Sequence, residues 1–183
     1  MQFVLAVDLL NSPIGLVEKK RAHSFGILHR AFSIFLFRSS GTSLQTLLQK
    51  RANKKYHSGG LWTNTCCSHA EKEVSLRVTA QNRLEREMGF SCQLHPAGLF
   101  YYKANVNRTM IEHEIDHVFV GFDNPKVIRP HPQEVQAYQW IDVNHLLKLF
   151  KEMQKEFTPW FFEGFQLALR WVMSKKDERH LIV

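Results

Sequence analysis

Apolar residues follow two rhythms along this chain, and each predicts a kind of element. Dense or alternating apolar runs bounded by turn residues read as strands. These are FVLAVDLL (3–10), AFSIFLFR (31–38) and SLQTLLQKR (43–51), with NSPIG expected as a turn after the first and SSGTS before the last. Further strands are expected at GLFYYKANV, EHEIDHVFVGF and VQAYQWIDV, with Pro125, Pro130 and Pro132 separating the last two. Between Glu73 and Met88 the rhythm changes. Leu76, Ala80, Leu84 and Met88 recur every fourth residue and Gly89 follows, the pattern of a helix with a glycine stop. Two more helices are expected, HLLKLFKEM capped by Asn144 and TPWFFEGFQLALRWVMSKK with Pro159 near its first turn. Strands and helices mix without regular βαβ alternation, which predicts an α+β domain: a mixed sheet core sandwiched by helices.

Composition narrows the class. At 183 residues, with 44% hydrophobic and 12% aromatic content, residues 1–183 suffice for one domain with a full core, and no repeat or linker interrupts them. Three cysteines do not form a paired disulfide framework, so a reducing, cytoplasmic setting is expected. Asp8 inside the first apolar run marks a strand rather than a leader, and no apolar run approaches the roughly 20 residues that span a bilayer, so no membrane association is expected. The net charge of +7 invites a nucleic-acid reading, but the basic residues are scattered through EKKR, QKRANKK and SKKDER with no stacking motif. An anionic small molecule is the better expectation, with no nucleic acid and a monomer or homodimer.

The histidines change the picture more, because ten of them sit among carboxylates. In EHEIDHVF, Glu112, Glu114 and Asp116 share one face of a strand, and His113, Ile115 and His117 share the other. Neighbouring carboxylates repel unless a cation or proton intervenes, so this row is either a solvated edge or half of a site. His23, His29 and His69 would complete a mixed nitrogen–oxygen set suited to Zn²⁺ or Mn²⁺. In GGLWTNTCCSH, Gly59 and Gly60 break the chain before adjacent cysteines. Extended neighbours point to opposite faces, so Cys66 and Cys67 are poorly placed to chelate together or to form a disulfide. Cys67 shares a face with His69, where a metal and basic residues would favour thiolate, while Cys66 is expected in the core as a small hydrophobe. Cys92 reads as a buried strand residue. Arg83 and Glu87 have the spacing of an ordinary surface ion pair, and Lys19, Arg51 and Lys55 are solvated charges by default.

The run RLEREMGF resembles the C-terminal half of a Nudix box, although Ser68 replaces its leading glycine and Asn82 stands where its arginine–glutamate pair begins. LHRAFSIFLF, GLWTNTCCSH, EHEIDHVF and FTPW together resemble type I isopentenyl-diphosphate Δ-isomerase over nearly the whole chain. That resemblance implies a Nudix-like fold and interconversion of isopentenyl and dimethylallyl diphosphate in isoprenoid biosynthesis. It implies His23, His29, His69, Glu112 and Glu114 as ligands of a divalent ion, Mn²⁺ or Zn²⁺, and Glu87 as a holder of Mg²⁺ on the substrate. Cys67 matches the catalytic thiol, with Tyr102 and Glu114 as its opposite-face partners. Lys19, Arg51, Lys55 and Arg83 match the basic residues of the diphosphate side. The chemistry needs such groups. No carbonyl acidifies the proton to be lost, so the alkene must be protonated to a tertiary cation and deprotonated on the other side. An aromatic wall would shelter that cation, with Trp160 and Trp62 as its candidates. The alternatives are a Nudix hydrolase of nucleoside diphosphate derivatives and a non-catalytic RNA-binding domain.

Overall fold

In a computed structural model, the backbone is described for residues 2–70 and 74–180, and side chains through residue 175. The elements follow in chain order: β1 (Phe3–Val7), β2 (Pro13–Glu18), α1 (Lys19–Phe25), β3 (His29–Ser40), β4 (Ser43–Arg51), β5 (Trp62–Thr63), β6 (Cys66–His69), α2 (Leu76–Met88), β7 (Leu94–Asn105), β8 (Ile111–Phe122), β9 (Val135–Asp142), α3 (Val143–Glu152) and α4 (Phe161–His180). Among the described residues, nine strands join one mixed sheet.

β3 is its axis. It runs parallel to β8 and antiparallel to β4 and β6. Covered on both sides, it reads as an unbroken apolar run. Phe35 and Phe37 face a core closed by α3 and α4 through Leu146, Phe161 and Phe165. Phe32, Ile34 and Leu36 face a second core closed by α2 through Ala80, Leu84 and Met88. The expected sheet between helices is therefore present, and its two cores are separated by the alternation of one strand.

Several expected boundaries move. The first strand ends at Val7, because the Asp8 carboxylate accepts from the Leu10 and Ser12 backbone N–H groups and turns the chain. Within NSPIG only the first residues turn, since Pro13–Gly15 already belong to β2, an edge strand paired with β1. Neither β2 nor α1 was expected. The helix expected from Glu73 is observed from Leu76, with the Ser75 hydroxyl accepting from Val78 N–H, and Glu73 itself lies outside the described residues. Gly89 ends it as expected, at φ 75°, in the left-handed region. Asp142, not Asn144, caps α3. Its carboxylate accepts from the N–H groups of Asn144 and His145, so Asn144 is already in the first turn. Cys92 precedes β7 and is only partly buried, so it is not a strand residue.

Candidate active site

Register assembles the site. Along β8, Glu112, Glu114 and Asp116 project to the face that further on carries Val118 and Val120. They are 2%, 5% and 1% exposed, so the row is not a solvated edge. Glu114 pairs across the sheet with His29 on one side and Tyr102 on the other. The Tyr102 hydroxyl donates to Glu114 Oε2 at 2.5 Å, and His29 Nε2 stands 3.3 Å from Oε1. β6 brings His69 opposite Ala31, with its Nε2 3.1 Å from the same Oε1. His23 arrives from α1, with Nε2 3.0 Å from Glu112 Oε2.

His23, His29, His69, Glu112 and Glu114 each offer one ligand atom within 4.8 Å of every other. The Nδ1 atoms of His23 and His29 lie 2.6 Å and 2.8 Å from the carbonyls of Lys19 and Ile27. A carbonyl only accepts, so Nδ1 carries a proton in both rings and Nε2 turns toward the carboxylates. His29 Nε2 and Glu112 Oε2 are buried without a hydrogen-bond partner among the described residues. Such a cluster requires positive charge at its centre. Protons supply part of it. Burial disfavours a charged His29, but its contact with Glu114 outweighs burial and raises its pKa. Burial and Glu114 push the Glu112 carboxyl up, yet the close approach of His23 and His57 holds it at about 2. A divalent ion fits the same donor set, three imidazoles and two carboxylates.

The cysteines divide as their alternation requires. Cys66 is wholly buried in the α2-side core, and Cys67 lines a cavity with His69, Tyr102, Glu112, Glu114 and Trp160. Two expectations need correction. Without an ion in the cluster, burial pushes the Cys67 thiol up to about 12 and outweighs the pull of Arg51, the basic residue expected to favour thiolate. Cys66 is more than a small hydrophobe, since its Sγ donates to Glu87 Oε2 at 3.5 Å.

Lys19, Arg51, Lys55 and Arg83 all line the same cavity. None is the solvated charge that lysines and arginines are by default. Arg51 is 7% exposed, reaches the Cys67 sulfur at 3.8 Å and stands 5.4 Å from the Trp160 ring centre. Arg83 holds Glu87 at 2.6 Å and Glu134 at 3.1 Å, and Lys55 also pairs with Glu134. Glu87 is 3% exposed and is engaged by Arg83, Gln49 and Cys66. It is not among the residues that line the cavity, and these contacts engage both of its oxygens. Trp160 forms a wall, its indole N–H donating to Asn64 Oδ1 at 3.2 Å. Trp62 does not. It packs against the α4-side core with Lys50 over its ring.

Sequence reasoning missed His57, whose Nε2 lies 2.8 Å from Glu112 Oε1, and Glu134. His57 had a signal, standing two residues before the Gly59–Gly60 break. Glu134 had none, since only the packing of its loop against α2 brings it to Arg83.

Residues 27–161 match the NUDIX domain family. A Burkholderia multivorans protein named isopentenyl-diphosphate Delta-isomerase is 47% identical over 174 residues, 92% of this chain and 96% of that one. The chain belongs to the isopentenyl-diphosphate Δ-isomerase family. A second member, from Serratia proteamaculans, is 43% identical over 87% of both chains. Among solved structures, the DR0079 protein of Deinococcus radiodurans aligns with a TM-score of 0.66 at 14% identity, over 82% of this chain and 90% of that one. A MutT protein from Methanosarcina mazei aligns at 0.59 and 16% identity, over 81% and 96%. At that distance these two speak for the fold alone, a Nudix fold. No helix among the described residues is long and apolar enough to cross a membrane.

Proposed function

We propose that this member of the isopentenyl-diphosphate Δ-isomerase family interconverts isopentenyl and dimethylallyl diphosphate through a tertiary carbocation, supplying isoprenoid biosynthesis. One observation carries the mechanism. Cys67, on β6, and the Tyr102–Glu114 pair, on β7 and β8, line one cavity from strands that flank β3 on opposite sides. A flat alkene between them would meet a group on each face that can exchange a proton, one giving while the other takes. Burial holds Cys67 as a thiol, and burial together with Glu114 keeps the Tyr102 phenol protonated. The reaction runs both ways, so the group that acts as acid in one direction acts as base in the other. Trp160 supplies the wall, and an aromatic face stabilises a nearby cation by on the order of 1–2 kcal/mol.

Lys19, Arg51, Lys55 and Arg83 are read as the partners of the diphosphate, which charge-assisted hydrogen bonds would hold. When bound, a Zn²⁺ or Mn²⁺ ion among His23, His29, His69, Glu112 and Glu114 would supply the positive charge that cluster needs. Glu87 is read as a holder of Mg²⁺ on the substrate, where an ion would share its carboxylate with Arg83, Gln49 and Cys66. The substrate is a small soluble diphosphate, and a cytoplasmic monomer or homodimer is the expected form.

Incubation with isopentenyl diphosphate and Mg²⁺ in D₂O, followed by NMR, tests the reading. The allylic diphosphate should accumulate with deuterium in its new methyl group. Cys67→Ala should abolish this with metal content intact, and Cys66→Ala should retain turnover. Release of phosphate without allylic product would replace isomerisation by Nudix hydrolysis.

A further inference from the structure

His57 belongs to no role assigned above, yet it touches the metal cluster. Its side chain is 4% exposed, and its Nε2 stands 2.8 Å from Glu112 Oε1. The other carboxylate oxygen, Oε2, faces His23 at 3.0 Å and His29 at 3.9 Å and lacks a hydrogen-bond partner among the described residues. Glu112 therefore has one oxygen committed to His57 and one directed at the centre of the cluster. The His57 Nε2 is not among the five convergent ligand atoms.

The loop that carries His57 is built to hold it there. Arg51 donates to the carbonyls of Ser58 at 3.2 Å and His57 at 3.4 Å, tying the loop to the end of β4. A Cβ at Gly59 would lie 2.6 Å from the Asn53 carbonyl, and Gly60 sits at φ 77°, so both glycines are required by the loop path. Ser58 Oγ lies 3.2 Å from His57 Nδ1, and the Tyr56 ring meets the imidazole edge-on at 4.4 Å between centres. Both ring nitrogens are engaged, and the side chain is buried.

We infer that His57 is a positioning residue that sets the metal affinity of the cluster by pinning one oxygen of Glu112. A carboxylate free to rotate about its last bond presents either oxygen to an ion and loses orientation each time. Pinning Oε1 fixes Oε2 at the site, and outer partners of this kind typically change metal affinity about 10- to 100-fold. The inference rests on the proposed metal cluster.

Metal-free protein titrated with Mn²⁺ or Zn²⁺ against a competing chelator tests it, alongside thermal unfolding of the same metal-free samples. His57→Phe keeps the ring volume but not the donor, and should weaken binding about 10- to 100-fold. His57→Gln keeps an N–H donor and should recover most of that loss. Should the phenyl ring not be accommodated, His57→Ala gives the same comparison. Unchanged affinity in the variants lacking a donor, or equal loss in the Gln variant and the Phe variant, overturns the inference while leaving the metal cluster standing. A wild-type protein that binds no ion removes the cluster and the inference together.

Discussion

On one side of the cavity, three imidazoles and two carboxylates converge on a single point. On the other, Lys19, Lys55 and Arg83 line an adjoining groove with Glu134, the carboxylate that pairs with both Lys55 and Arg83. The first region is short of positive charge. Its buried acids lean on histidine protons, and two of its polar atoms have no hydrogen-bond partner among the described residues. The second has an excess of positive charge, with Glu134 engaging Lys55 and Arg83. A cation completes the first region, whereas an anion entering the second must compete with Glu134. Binding free energy is therefore expected to behave differently in the two, and substitutions separate them.

The largest effect should come from the converging cluster. Glu114→Gln removes a carboxylate that meets His29, His69 and Tyr102 at once. It should lower kcat by about 10²–10⁴, the range for losing a positioned acid–base group, with little change in the affinity for inorganic pyrophosphate. Equal losses in kcat and pyrophosphate affinity would erase the distinction between the two regions. Steady-state kinetics and calorimetry read both.

A smaller effect, of the opposite type, is expected at the cationic side. Lys55→Ala should raise KM about 10-fold, near the value of one hydrogen bond to a charged group, and leave kcat and metal content unchanged. Arg51→Ala should cost more, because Arg51 also reaches the Cys67 sulfur and ties down the His57 loop. Unchanged affinity in both variants would place the diphosphate elsewhere.

The smallest effect is a pH dependence. Burial, reinforced by Lys55, lowers the Lys19 pKa below the ordinary 10.5. A bound anion would raise it again, so binding takes up a proton between the free and bound pKa values. Diphosphate affinity should therefore fall as pH rises through the lowered pKa of the free protein. The decline should start at lower pH than for an ordinary lysine and be absent in Lys19→Arg. A pH series of pyrophosphate titrations measures it.

Much of this was legible in one dimension. The period-two row of Glu112, Glu114 and Asp116 fixed their common face, and the same period sent Cys66 and Cys67 to opposite sides of the sheet. The apolar run of β3 marked a strand, and the fold covers it on both faces. The resemblance to type I isomerases picked out the five residues that converge and the four basic residues that line the cavity, because motif residues keep their order along a chain. Where local patterns compete, the reading slipped. Asp142 and Asn144 both suit a cap, and only the backbone path decides between them.

Tertiary structure decided what depends on neighbours far apart in sequence. Glu87 reads as a surface partner of Arg83 from its spacing, yet α2 buries it against Cys66 and Gln49. Cys67 looks reactive from its company, but burial outweighs the pull of Arg51 on its proton. Sequence by itself determined which side chains share a strand face, since that follows from backbone geometry within a few residues. Burial, pKa and the pairing of His57 with Glu112 depend on the surrounding packing, so only the folded chain determined them.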